Sequence, residues 1–179
     1  AMCNVYRSIN TGKVEKGIIT DLHQQTTIDN VYAAGDCTVS HDCSSNTDRI
    51  LALLPNAFMQ GEVAGKNMAG EETLYLNAIP MNAIGFYGLH IITAGSYDGD
   101  EDITEDADKE IYKKLVFKDG LLKGFILMGD VARAGIYTSM IKEQIPLTEV
   151  DLDLLRDKPQ MMMFGKARRE EKLAGKKHG

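Results

Sequence analysis

The sequence predicts an α+β chain in two units: strands ending at Gly35 followed by a helix, then a small domain of antiparallel sheet and helices. Three observations carry this. An apolar run at residues 31–35 ends in Gly35-Asp36, and a helix-like segment follows at residues 55–69. Two strand-like runs at residues 111–130 flank Asp119-Gly120, a hairpin signal because both central positions of a type I′ turn need φ > 0. Between residues 71 and 82 the texture changes, so the expected division is 1–75, 82–160 and a partly disordered tail at 161–179.

Residues 1–30 read as short strands and turns, with the β-branched run "KGIITD" as one strand. Val31, Tyr32, Ala33 and Ala34 make a buried strand, and the small polar run "CTVSHDCSSNTDR" is a loop. Pro55 suits a first helical turn, where a missing N–H costs nothing, and Gly70 suits the stop. Ala57, Gly61, Ala64, Gly65 and Met68 share one face of that helix, which predicts close packing through small residues. "AIGFYGLHIITAG" is strand-like, and "SYDGDEDITEDADKE" reads as an acidic loop. Apolar residues at 136, 137, 140 and 141 give a helix over 132–144, which Pro146 ends. A further short helix follows in "TEVDLDLLRD" with Thr148 as its cap, and the Lys/Arg/Glu-rich tail from Lys166 is expected to fray.

Composition narrows the function classes. Net charge is −6 with a pI near 5.2, which disfavours nucleic acid as a partner. No apolar run approaches the ~18 residues of a membrane span, and "AMCN" at the start lacks the features of a signal peptide. Three cysteines, an odd number, argue for a reducing cytoplasmic setting.

The chemistry concentrates at Gly35-Asp36. A glycine at a strand end lets a ligand approach the backbone, and the neighbouring carboxylate accepts hydrogen bonds from sugar hydroxyls. The helix beginning near Pro55, Asn56 and Ala57 offers free N–H groups to partial negative charge. Together these suit a polyol beside an electron-rich ring.

"TTIDNVYAAGDC", from Thr26, resembles the second FAD-binding motif of the pyridine nucleotide-disulfide oxidoreductase family: a Thr, a short spacer, four small or apolar residues, then Gly-Asp. "RILALLPNAFMQGEVAGKNMAG" is similar to the branch of rubredoxin reductases, NADH oxidases and nitrite-reductase flavin subunits, and residues 82 to about 157 resemble that branch's small C-terminal domain. The resemblance implies that Asp36 binds the flavin ribityl chain with Gly35 beside it. It places Pro55, Asn56 and Ala57 against the pyrimidine edge. The first unit is then a fragment of an FAD-binding three-layer domain from an α/β parent. That parent oxidises NAD(P)H through FAD and passes electrons to a small molecule, a rubredoxin-like or iron–sulfur protein, or another subunit, as a homodimer. No G-x-G-x-x-G occurs in the chain. The resemblance therefore implies the C-terminal part of a longer flavoprotein, one wall of a flavin site that is inactive and flavin-free by itself. The competing class is a dimerisation or docking module that binds no flavin.

Other features are given structural roles. Cys37, His41 and Cys43 lack C-x-x-C spacing and a fourth ligand, so neither metal nor disulfide chemistry is expected of them. No His-Pro with a following Glu appears, so disulfide reduction is not expected, and no side chain is put forward as catalytic. Asp98, Asp100 and Asp102 match the start of a calcium loop, but Ile103 and Lys109 stand where Gly and Glu belong, which favours a solvated loop. His90 is expected to be a packing residue, and Met161, Met162, Met163 and Phe164 a docking tail.

Overall fold

The structure, a computed structural model, describes residues 16–174, and the chain divides into compact units over residues 1–82 and 83–179. In the first unit, β1 (Ile18–Ile19) pairs in parallel with β2 (Thr38–Asp42), which pairs antiparallel with β3 (Thr47–Ile50). The expected loop at residues 37–49 is thus mostly a hairpin. Asp42 makes the difference, because its buried carboxylate gathers the turn: Oδ1 accepts from the Ser44 N–H at 2.9 Å and the Ser44 hydroxyl at 2.6 Å. The expected strand at residues 31–35 is not one. The segment folds back on residues 24–26, with Thr26 N–H on the Val31 carbonyl at 2.8 Å and Ala33 N–H on the Gln24 carbonyl at 3.0 Å. Those bonds and the single Gln25–Tyr32 bridge use the groups that a ladder needs.

Helix α1 (Leu54–Met68) has Pro55 in its first turn. Gly70 follows its end at φ +87°. The expected small-residue interface is absent among the described residues: Gly61, Gly65 and Met68 are exposed, with open space at both glycines. The buried residues are Asn56, Gln60, Val63 and Ala64, so half of this inward face is polar. A small apolar core of Leu51, Val63, Tyr75 and Ala78 lies under α1.

The second unit is a five-stranded sheet ordered β4-β5-β8-β7-β6. Its strands are β4 (Met81–Phe86), β5 (Leu89–Gly95), β6 (Asp100–Asp106), β7 (Ile111–Lys118) and β8 (Leu121–Met128). Asp119 at φ +53° and Gly120 at φ +71° make the predicted tight turn between β7 and β8. The acidic stretch is not a loop but the edge strand β6, paired along its length with β7. Cations neutralise it: Lys114 pairs with Glu101, and Arg156 reaches Asp102 at 2.6 Å. Charge on an edge strand is tolerated because one side of it faces water, and it discourages pairing with another chain. His90 on β5 is exposed rather than packed.

Helix α2 (Ala134–Lys142) buries Tyr137, Met140 and Ile141, and the Tyr137 ring lies 5.4 Å from that of Phe125 on β8. Helix α3 (Leu152–Arg156) is capped by Asp151, not Thr148; the Asp151 carboxylate accepts from the Asp153 and Leu154 N–H groups. A carboxylate at the N-cap also complements the helix dipole. Met163 and Phe164 are buried, and the chain continues as α4 (Lys166–Ala174) where fraying was expected. Ion pairs hold it: Lys172 to Glu143 at 2.9 Å and Arg168 to Glu149 at 2.7 Å. A helix with few apolar residues is here fixed by charge, a signal that apolar periodicity does not register.

Candidate functional site

Gly35 stands at a sharp corner leading into β2. Its φ of +91° lies where L side chains are strained, which is the physical reason for glycine. Helix α1 borders the space beside it without filling it: a Cβ built there would meet only the Ala57 Cβ, at 3.7 Å. The Gly35 N–H donates to Gln60 Oε1 at 2.6 Å, and its carbonyl accepts from the Thr38 N–H at 3.0 Å and hydroxyl at 2.8 Å. Both backbone polar groups of Gly35 are therefore spent inward. Asp36, next in the turn, is exposed, and its carboxylate takes no hydrogen bond from the described residues.

At the start of α1, Leu53 supplies no side-chain cap, and Pro55 has no N–H to give. The Ala57 N–H already bonds the Leu53 carbonyl at 3.0 Å, so the partial positive charge left to this turn rests on the N–H groups of Leu54 and Asn56. The two arms predicted from sequence, Gly35-Asp36 and the helix start, thus lie side by side. Asn56 differs from the other expected residues. It is fully buried, with Nδ2 donating to the Ile79 carbonyl at 3.0 Å and Oδ1 accepting from the Tyr75 hydroxyl at 2.9 Å. The whole residue, backbone included, has no exposure to solvent, so Asn56 supports the helix start from beneath. Burial, then the nearby Cys43, push the Tyr75 phenol up, which keeps it a donor to Asn56.

Two side chains that hold this region together escape sequence reasoning. Gln60 links the corner to α1 and β2 through its amide. Asp42, whose Oδ2 also accepts from the Ser45 hydroxyl at 2.9 Å and pairs with Arg49 at 2.5 Å, fixes the following hairpin. Both are polar residues in buried positions, and nothing in apolar periodicity marks them. A cleft of about 770 Å³ opens beside this sheet, lined by Ile19, Thr20, Gln24, Ser40 and Arg49 among others, and it includes none of the five expected site residues. His41 is occupied by Asp48 at 2.8 Å, and no cluster of three His, Cys, Asp or Glu side chains among the described residues is arranged to hold a metal.

An exposed carboxylate without a partner, a glycine corner and an uncapped helix start fit a polyol with an electron-rich edge. They offer recognition rather than proton transfer, which is the division of labour found where a cofactor carries the chemistry. Comparison with known proteins places the chain, through its second unit, in a class. Residues 80–145 match the model of the rubredoxin NAD+ reductase C-terminal domain. The chain is a relative of the C-terminal part of FAD-dependent pyridine nucleotide-disulfide oxidoreductases.

Particular relatives sharpen this. The chain is 34% identical over 140 residues to the epsilon subunit of NADH-dependent phenylglyoxylate dehydrogenase from Aromatoleum evansii, covering 74% of this chain and 33% of that protein. It is 28% identical over 120 residues to NADH-rubredoxin oxidoreductase from Clostridium acetobutylicum, covering 66% of this chain and 30% of that protein. In fold it is similar to a chain of the covalent putidaredoxin reductase–putidaredoxin complex, with a TM-score of 0.73 and 18% identity over 88% of this chain and 37% of that one. The chain thus spans about a third of the length of these proteins.

Proposed function

We propose that this chain is the C-terminal portion of a flavoprotein oxidoreductase that moves electrons from NAD(P)H through FAD to a protein or small-molecule acceptor. The observation that carries the proposal is the corner itself. Gly35 lies beside the first turn of α1, with a carboxylate and an uncapped helix start left for a ligand. In this role Asp36 accepts a hydrogen bond from a ribityl hydroxyl. Gly35 clears the approach, and the helix start at Pro55, Asn56 and Ala57 lies against the pyrimidine edge, whose partial negative charge the helix dipole favours. FAD supplies the hydride and electron chemistry when bound; the protein contributes binding and orientation.

The acceptor follows from the relatives' company: an electron-acceptor protein or subunit, rubredoxin-like or iron–sulfur, is the partner class we assign. Exposed apolar side chains, Leu54 and Phe58 on α1 and Ile84 and Phe86 on β4, suit burial against the remainder of the parent or a second copy in a homodimer. No helix among the described residues is long and apolar enough to cross a membrane, and we place the parent in the cytoplasm. The test is direct. The full-length protein should be isolated yellow, with a flavin band that NADH or NADPH bleaches without oxygen. A colourless full-length protein that takes up no added FAD overturns the proposal.

A further inference from the structure

We propose that Gln60 is the positioning residue of this site, a strut that sets the Asp36 carboxylate relative to the start of α1; the inference rests on the flavin assignment above. Gln60 is 1% exposed, in the middle of α1, and cannot reach a ligand itself. Its side chain nevertheless spans both arms. Oε1 accepts from the Gly35 N–H at 2.6 Å and lies 3.0 Å from the Thr38 hydroxyl, while Nε2 donates to Ser40 Oγ at 2.5 Å. A backbone N–H can only donate, so the amide oxygen must face Gly35, and the NH₂ group is thereby directed to Ser40. One amide therefore fixes the corner from which Asp36 projects, the first residue of β2 and a second residue along it.

The geometry gives this arrangement a specific consequence. Asp36 has no hydrogen bond of its own to any described residue, so its place is inherited from the Gly35 backbone. The glycine is conformationally free by nature, and its left-handed φ of +91° is held by bonds at both its N–H and its carbonyl. The N–H bond is the one that runs to α1. Without it, the polar link left between this turn and the helix among the described residues is the approach of the Thr38 hydroxyl to Gln60 Oε1 at 3.0 Å. Pre-set geometry of this kind lowers the ordering cost of binding, so the loss appears as weaker retention of the cofactor.

A double-mutant cycle in the full-length protein tests the strut, with FAD affinity of the deflavinated protein read by quenching of flavin fluorescence. Gln60→Met keeps the volume and removes the amide. It should weaken FAD binding about tenfold in the unsubstituted background but less than about twofold when Asp36 is already Ala, because a strut acts through the residue it positions. Equal losses in the two backgrounds overturn the strut and leave the flavin assignment standing. Unsubstituted protein that binds no FAD overturns the assignment and the strut with it. Gln60→Glu guards against a misfolded Met variant: its carboxylate still accepts from the Gly35 N–H, the Ser40 hydroxyl turns from acceptor to donor, and FAD affinity should stay within about threefold of the unsubstituted protein. A well-folded Glu variant, judged by its circular dichroism, that binds more than about tenfold more weakly also overturns the proposal.

Discussion

Replacing Asp42 by Asn probes how the hairpin after the candidate site is held. The substitution is nearly isosteric, so its effect is electrostatic. Asn keeps the oxygen that accepts from the Ser44 N–H and hydroxyl at 2.9 and 2.6 Å. It turns the other oxygen into an NH₂ group, which then confronts the Ser45 hydroxyl and the Arg49 guanidinium, formerly at 2.9 and 2.5 Å. Two acceptor contacts are lost, one of them charge-assisted, in a position with no exposure to water. Arg49 is itself 45% exposed and regains hydration, which discounts the ion pair. The net cost is about 2 kcal/mol. Hydrogen exchange read by mass spectrometry over residues 38–50 is the local assay, and 2 kcal/mol corresponds to roughly thirtyfold faster exchange at pH 7.

The pH dependence supplies an internal check. Burial alone raises the Asp42 pKa, but the Ser44 and Ser45 hydrogen bonds and Arg49 outweigh it and hold the carboxyl below its ordinary value of 3.8. A depressed folded pKa means stabilisation that is complete above the ordinary carboxylate range and lost as pH falls through the folded value. The gap between wild type and Asp42→Asn should therefore be constant near neutrality and shrink below pH 3.8. Unchanged exchange in residues 38–50 at pH 7 refutes the account of Asp42 as the hairpin's anchor.

Three further outcomes are expected. Asp36→Ala in the full-length parent should weaken FAD retention by about 1.5–3 kcal/mol, or roughly ten- to a hundredfold, and unchanged flavin content after dialysis would sink the ribityl assignment. Gly120→Ala places a Cβ at φ +71° in the β7–β8 turn and should destabilise the second unit by about 1–2 kcal/mol; an unaltered thermal melt by circular dichroism speaks against the tight turn. The isolated 179-residue chain should be colourless and unable to oxidise NADH, because its sequence has no glycine-rich loop for the pyrophosphate of FAD; bound FAD or measurable turnover contradicts this.

The sequence by itself determined the features that depend on local chemistry. Asp119-Gly120 can adopt positive φ at both positions, so the β7–β8 hairpin was legible, and Pro55 and Gly70 marked α1 to within a residue of Leu54–Met68. Gly35-Asp36 stood out because a carboxylate after a glycine at the end of an apolar run needs a reason. What only the tertiary structure decided was which polar groups face inward. Residues 98–110 look like a loop until β7 offers Lys114 to Glu101, and the tail from Lys166 looks frayed until Glu143 and Glu149 meet its cations. Residues 31–35 look like a buried strand, yet their hydrogen bonds go to residues 24–26. The inward face of α1 is set by Asn56 and Gln60, whose partners lie 19 to 25 residues away in the chain. The physical reason is common to all of these. Apolar burial depends on a residue's own type and so leaves a periodic trace in sequence. A buried polar group is stable only when a particular partner arrives at hydrogen-bond distance, and that is fixed by the fold.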